Sequence, residues 1–181
     1  MQKPVSAARR ATYRARVGKQ NFLIEGVSCA GKSAVCRELL ARGHHAVNGD
    51  TELAYQGDPK TGEPTEGRSH EHHLWRVDAV EALVADQREP VTFFCGGSRN
   101  WPAFIHLFDG VFVLDIDEAT LLRRLEQRTG DEWGASPEQR ALVIQLHLTK
   151  EDTPPGVLVD ATRAIERVVD ELLRLANAPR R

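Results

Sequence analysis

The chain has 181 residues, 41% of them hydrophobic and 28% charged, an ordinary globular balance and enough chain for one domain with a buried core. No apolar run approaches the roughly 20 residues that a membrane span needs, and the first 20 residues lack the apolar stretch of a secretory leader. Cys29, Cys36 and Cys95 have no paired spacing, which suits a reducing cytoplasm better than a disulfide framework.

Residues 1–20 carry Lys3, Arg9, Arg10, Arg14, Arg16 and Lys19 and no acid. Removing those six from the formal net charge of −2 leaves −8 for residues 21–181. Such an arm could touch nucleic acid or anionic lipid. The alternative is a mobile, solubilising N-terminus, which is the reading we take. An acidic body repels a phosphate backbone, and the arm's only aromatic residue is Tyr13, so nucleic acid is not the expected partner. With no apolar run long enough to span one, nor is a membrane. We read residues 1–20 as a basic N-terminal tail and 177–181 as a C-terminal one.

After the tail, Phe22-Leu23-Ile24 predicts a first strand, and about 32–42 a helix that stops at Gly43. His45-Ala46-Val47 predicts a second strand, Val91 to Cys95 a third, Val111 to Leu114 a fourth and Val157-Leu158-Val159 a fifth. Helical stretches are expected at about 74–87, 100–108, 118–128, 137–149 and 163–176. Strands alternating with helices argue for βαβ units, a mostly parallel sheet and helices on both faces. Near-continuous apolar strands agree with a sheet buried on both sides. Residues 56–73 and 129–136 stand outside the alternation, and loops of this kind in a compact domain are often lids or binding loops.

Gly26-Val27-Ser28-Cys29-Ala30-Gly31-Lys32-Ser33 matches G-x-x-x-x-G-K-[ST] between a strand and a helix. The glycines let the backbone turn so that successive N–H groups face phosphate oxygens, and the following helix aims its positive dipole end at them. We expect Gly26, Ser28, Ala30, Gly31, Lys32, Ser33 and Ala34 to cradle ATP, with Lys32 at the β/γ-phosphates and the Ser33 hydroxyl on Mg²⁺.

From this loop onward, over about residues 20–176, the chain resembles the small P-loop kinases grouped around shikimate kinase, gluconate kinase and adenylate kinase. Asn48-Gly49-Asp50 follows the second strand, where that resemblance implies an acid against the acceptor hydroxyl. Phe94-Cys95-Gly96-Gly97 is similar to the Gly-rich strand end that lines the acceptor site, and Val159 to Arg163 to the adenine-side loop, which implies Arg163 there. Arg124 to Arg128, running into 129–136, looks like the family's lid helix. The resemblance implies an α/β, three-layer P-loop kinase sandwich with a five-stranded, mostly parallel sheet and a small lid. Residues 21–176 would form the kinase domain, with an acceptor region at about 49–90 and a lid at about 128–140. No Asp closes the third strand, as in shikimate kinase, and the segment between strands two and three matches no single member.

Ligands of open α/β sheets sit at the carboxyl ends of strands, where Asp50, Gly96, Gly97 and Arg99 emerge. Asp50 is the candidate to take the acceptor's hydroxyl proton, the alternative being a turn Asp that caps a helix. Arg128 is the preferred lid arginine and Arg124 the second, the alternative being a solvated helix face. Arg99 suits a carboxylate or phosphate on the acceptor, or is a surface loop residue. His70, His72 and His73 lack zinc-like partners and read as exposed loop residues, with Trp75 packing the loop onto the body. Asp115 and Asp117 read as caps of the following helix.

The expected activity is transfer of the γ-phosphoryl of ATP to a hydroxyl of a small molecule by a monomer or homodimer. A nucleoside or nucleotide kinase is the alternative within that chemistry and would need Arg68, Arg76 or Arg88 on an acceptor phosphate or base. A nucleotide-binding switch or weak ATPase acting through a partner is the alternative of another class.

Overall fold

The computed structural model describes residues 19–178, so most of the basic tail and the last three residues lie outside the described part. Strands β1 (Gln20–Glu25), β2 (His45–Asn48), β5 (Val91–Cys95), β6 (Gly110–Asp115) and β7 (Val157–Asp160) form one sheet in the order β2-β5-β1-β6-β7. Every neighbouring pair is parallel. The five expected strands are therefore present, each within a residue or two of its predicted bounds.

The apolar runs are explained by the pleat, which sends successive side chains to opposite faces. Phe22, Ile24, Phe93 and Cys95 enter one core with Val35, Leu39, Leu121, Leu125, Val143 and Val169. Leu23, Val47 and Phe94 enter a second core with Leu53, Trp75, Val80 and Phe104. The first core is roofed by α1 (Lys32–Ala41), α4 (Glu118–Glu126), α5 (Pro137–Thr149) and α6 (Ile165–Ala176). The second is covered by α3 (Val77–Ala85), two 3₁₀ turns and a small hairpin. The result is a three-layer α/β sandwich.

Two predicted elements are corrected. Residues 100–108 form two 3₁₀ turns, Trp101–Ala103 and Ile105–Leu107, because Phe104 leaves helical geometry between them to stack on Trp75 at 5.6 Å. The stretch 74–87 begins as a strand: β4 (His73–Trp75) pairs antiparallel with β3 (Ala54–Gln56), and the helix starts only at Val77. Three residues are too few to show a period of two, so His73-Leu74-Trp75 merged with the helical pattern beyond it. The polar stretch 56–73 is therefore the connection of a hairpin, and Gly49–Glu52 makes one helical turn, α2, ahead of it.

Candidate functional site

The phosphate loop lies between β1 and α1, with Gly31 in a left-handed conformation at φ 109. Gly26 cannot carry a side chain, since a Cβ there would come within 2.8 Å of the Leu114 carbonyl oxygen. Lys32 Nζ donates to the carbonyls of Gly26 at 2.6 Å and Val27 at 3.1 Å, so its charge lies within the loop's own curve. The N–H groups of Lys32, Ser33 and Ala34 have no acceptor among the described residues, as expected of a helix's first turn, and Ser33 is exposed. Free N–H groups, an ammonium and an accessible hydroxyl fit a nucleotide triphosphate with Mg²⁺.

This loop forms one wall of a cleft of about 1210 Å³. Asp50, His73, Gly97 and Arg99 line the same cleft, and so do Arg124, Arg128 and Arg163. Asp50 is the second residue of the α2 turn that follows β2. Its Oδ1 accepts from the Gly97 N–H at 3.1 Å and stands 3.2 Å from His73 Nε2. Gly96 makes this approach possible: a Cβ there would meet Trp75 Cζ2 at 2.6 Å and Asp50 Oδ1 at 2.7 Å. Burial pushes the Asp50 carboxyl up, but His73, Lys32 and the Gly97 N–H together outweigh it and hold it below the usual carboxylate range.

Glu25 was not singled out in the sequence. It ends β1 directly before Gly26, is 2% exposed, and accepts from the Gly26 N–H. Burial pushes its carboxyl above the usual range, with Lys32, Arg99 and the Gly26 N–H only partly offsetting this. Its one detectable signal was an acid at the end of an otherwise apolar strand. Arg99 lies 3.8 Å from Glu25 Oε1 and 2.6 Å from Asp152 Oδ2, and its side chain is 14% exposed. It is therefore a half-buried cation already facing two carboxylates, not a surface loop residue.

The histidines also differ from the sequence reading. His70, His72 and His73 are half-buried and partnered, because the hairpin folds 56–73 back against the cleft. His70 Nε2 is 2.7 Å from Asp152 Oδ2, its ring stacks on Trp133, and burial lowers its pKa despite Asp152. His72 Nδ1 meets Thr65 Oγ1 at 3.3 Å. Trp75 packs the hairpin onto the body as expected and is 1% exposed.

Arg124 donates to the carbonyls of Cys29, Ala30 and Ala161, so its fork braces the loop. Arg128 pairs with Glu132 at 3.3 Å and Arg163 with Asp160 at 2.9 Å, both at the cleft margin. Of the cations that a phosphate-bearing acceptor would need, Arg76 lies over the Tyr55 ring, Arg88 pairs with Asp86, and Arg68 donates to the Asp131 carbonyl. Asp117 caps α4 by accepting from the Thr120 N–H at 2.7 Å, whereas Asp115 pairs with Lys150. No described helix is long and apolar enough to cross a membrane.

A family described as an AAA domain matches residues 23–145, which is more than half of the chain. No curated protein matches the sequence. Among solved structures, a gluconokinase from Sinorhizobium meliloti aligns with a TM-score of 0.52 at 24% identity, over 87% of this chain and 93% of that one. An unliganded sugar kinase from a Janibacter species aligns with a TM-score of 0.53 at 17% identity, over 86% of this chain and 93% of that one. With its phosphate loop on the P-loop α/β fold that these two structures share, the chain belongs to the AAA domain family.

Proposed function

We propose that this protein is an ATP-dependent phosphotransferase that moves the γ-phosphoryl group onto a hydroxyl of a small, non-nucleotide molecule. One observation carries the reading: the phosphate loop and the ionised Asp50 face a single cleft, with Gly97 and His73 holding the carboxylate. The fold shared with a gluconokinase and a sugar kinase supports it.

Such transfer depends on positioning and charge neutralisation more than on covalent chemistry by the protein. ATP–Mg²⁺ supplies the phosphoryl group and a charge screen when bound. Gly26 to Ala34 and Lys32 hold the phosphates, and the Ser33 hydroxyl is the metal's protein ligand. Asp50 accepts the hydroxyl proton as the acceptor oxygen forms its bond to phosphorus and the bond to the departing ADP oxygen breaks. Arg128 closes over the phosphates from the lid at 128–140, Arg163 lies on the adenine side, and Gly96, Gly97 and Arg99 shape the acceptor side. The nucleotide-kinase alternative is less favoured because Arg76, Arg88 and Arg68 are engaged elsewhere.

The test is ATP consumption over a panel of sugars, polyols, aminocyclitols, nucleosides and nucleotides, with Lys32→Ala as control. Stimulation by a sugar, polyol or aminocyclitol, abolished in the control, supports the reading. Tight ATP binding with no stimulating acceptor favours the switch or weak ATPase, and stimulation by nucleosides or nucleotides alone favours the nucleoside or nucleotide kinase.

A further inference from the structure

The two carboxylate oxygens of Asp50 have different surroundings. Oδ1 accepts from Gly97 and lies against His73 Nε2. Oδ2 has no partner among the described residues and is not sealed from solvent. A carboxylate turns easily about its last torsion, which is broad and two-fold. A single donor leaves that rotation open, whereas donors from two different elements fix the plane. Here one comes from just beyond β5 and the other from β4.

The backbone that carries the imidazole is itself held. The Arg99 N–H donates to the His73 carbonyl at 2.9 Å. Two residues on, the Asn100 side chain clamps the Trp75 backbone, accepting from its N–H at 3.0 Å and donating to its carbonyl at 2.9 Å. Strand pairing and these clamps place His73 as they would a core residue, yet its side chain stays 31% exposed at the cleft edge.

We propose that His73 is a positioning residue: by donating its Nε2–H to Asp50 Oδ1, it turns Oδ2 toward the acceptor hydroxyl. This rests on reading the cleft as a transfer site in which Asp50 serves the acceptor. Both the Nε2–H tautomer and the imidazolium can make this bond. Four other groups bear on Asp50: Lys32 from α1, the Gly97 N–H beyond β5, Glu25 at the end of β1 and the Cys95 thiol of β5. Burial raises the Asp50 carboxyl, and the His73 hydrogen bond leads the effects that bring it down. Removing the imidazole therefore makes Asp50 titrate at higher pH.

Two measurements on the full chain test the proposal. The first follows the Asp50 carboxyl carbon by NMR in ¹³C-labelled wild type, His73→Ala and His73→Gln, with no acceptor present. The midpoint moves up in His73→Ala and less in His73→Gln, whose amide can still donate. A wild-type midpoint in His73→Ala overturns the contact. The second uses an acceptor found by the panel. In His73→Ala, kcat falls roughly 10–100-fold, the scale of a misplaced catalytic group. The acid limb of the kcat–pH profile moves to higher pH, the KM for ATP stays within about threefold, and His73→Gln recovers most of the rate. Wild-type kcat and acid limb in a folded His73→Ala overturn the positioning role while leaving the transfer activity standing. If the wild type transfers to no acceptor, the role falls with the functional reading, and a displaced midpoint then shows that the contact survives without it.

Discussion

Arg124 Nη1 donates to the Cys29 carbonyl at 3.0 Å, so helix α4 grips the phosphate loop through its main chain. The same guanidinium reaches the carbonyls of Ala30 at 3.1 Å and Ala161 at 2.9 Å, joining the loop to the segment after β7. Cys29 sits at φ 69, a conformation uncommon for residues that carry a Cβ, and the bond from Arg124 falls on that residue.

Replacing Arg124 should therefore act on the fold as much as on chemistry. Arg124→Met removes three charge-assisted bonds and leaves their carbonyls short of donors, which costs roughly 2–4 kcal/mol. Thermal unfolding should show the loss without nucleotide present. Arg124→Lys should recover little, since a point charge cannot span three carbonyls as the planar fork does. Wild-type stability with a large loss of turnover would mean that Arg124 works at the phosphates instead.

Lys32 is expected to behave in the opposite way. Its two bonds to the loop carbonyls are modest, so Lys32→Ala should cost about 1 kcal/mol of stability. Turnover should fall by roughly 10²–10³, the loss seen when one preorganised charge stabiliser is removed. Calorimetric unfolding and steady-state rates on the same preparation check both halves. A folded variant with near-normal turnover would remove Lys32 from the site.

What could be read from the sequence follows from how local each feature is. The phosphate loop occupies eight consecutive residues, and its geometry is written in their types. The strands were legible because both sheet faces are covered, which leaves Phe22-Leu23-Ile24 and Phe93-Phe94 apolar without interruption. Asp50 was legible because it stands two residues beyond the end of a strand. Its partner His73 was not, because that contact depends on the path of residues 56–73, which carry no periodicity. Asp152 likewise meets His70 and Arg99 only through tertiary folding, at sequence separations of 82 and 53. Glu25 was passed over because an acid at the end of an apolar run looks like a strand boundary.

Residues 129–136 should behave as a lid whose two ends differ in freedom. Trp133 packs on the core and stacks with His70, whereas at the 129–132 end the Asp131 carbonyl is held by a solvent-exposed bond from Arg68. Closure over ATP should order the segment around Gly130 more than the anchored turn at Trp133. Hydrogen exchange should slow at 129–132 when a non-hydrolysable ATP analogue and Mg²⁺ bind. Unchanged exchange with the analogue shown to be bound would reject a lid here.

Asp50→Asn keeps the size and most of the hydrogen bonding of the side chain and removes its charge and its capacity to take a proton. ATP affinity by calorimetry should stay within about threefold, and acceptor-dependent transfer should fall by roughly 10²–10⁴. Slow ATP hydrolysis without acceptor should persist. Loss of ATP–Mg²⁺ binding would assign Asp50 to the metal, and no change in either quantity would leave it a turn residue.

Glu25 and Asp50 should give opposite pH signatures in stability. The Asp50 carboxyl is held low in the folded chain, so its contribution is present above its unfolded pKa and is lost as pH falls through the folded value. The Glu25 carboxyl is held high by burial, so between its ordinary and raised values the folded state binds more protons than the unfolded state. Stability then declines as pH rises through that interval. Glu25→Gln has no proton to lose, keeps an oxygen for the Gly26 N–H, and should gain on the wild type as pH rises, whatever the offset between them at low pH. The measurement is chemical unfolding of both proteins from about pH 4, near the ordinary glutamate value, to pH 8. A constant difference across that range would mean that Glu25 titrates normally and that Lys32 and Arg99 fully compensate its burial. A wild type that gains on the variant with rising pH would mean that these cations outweigh the burial.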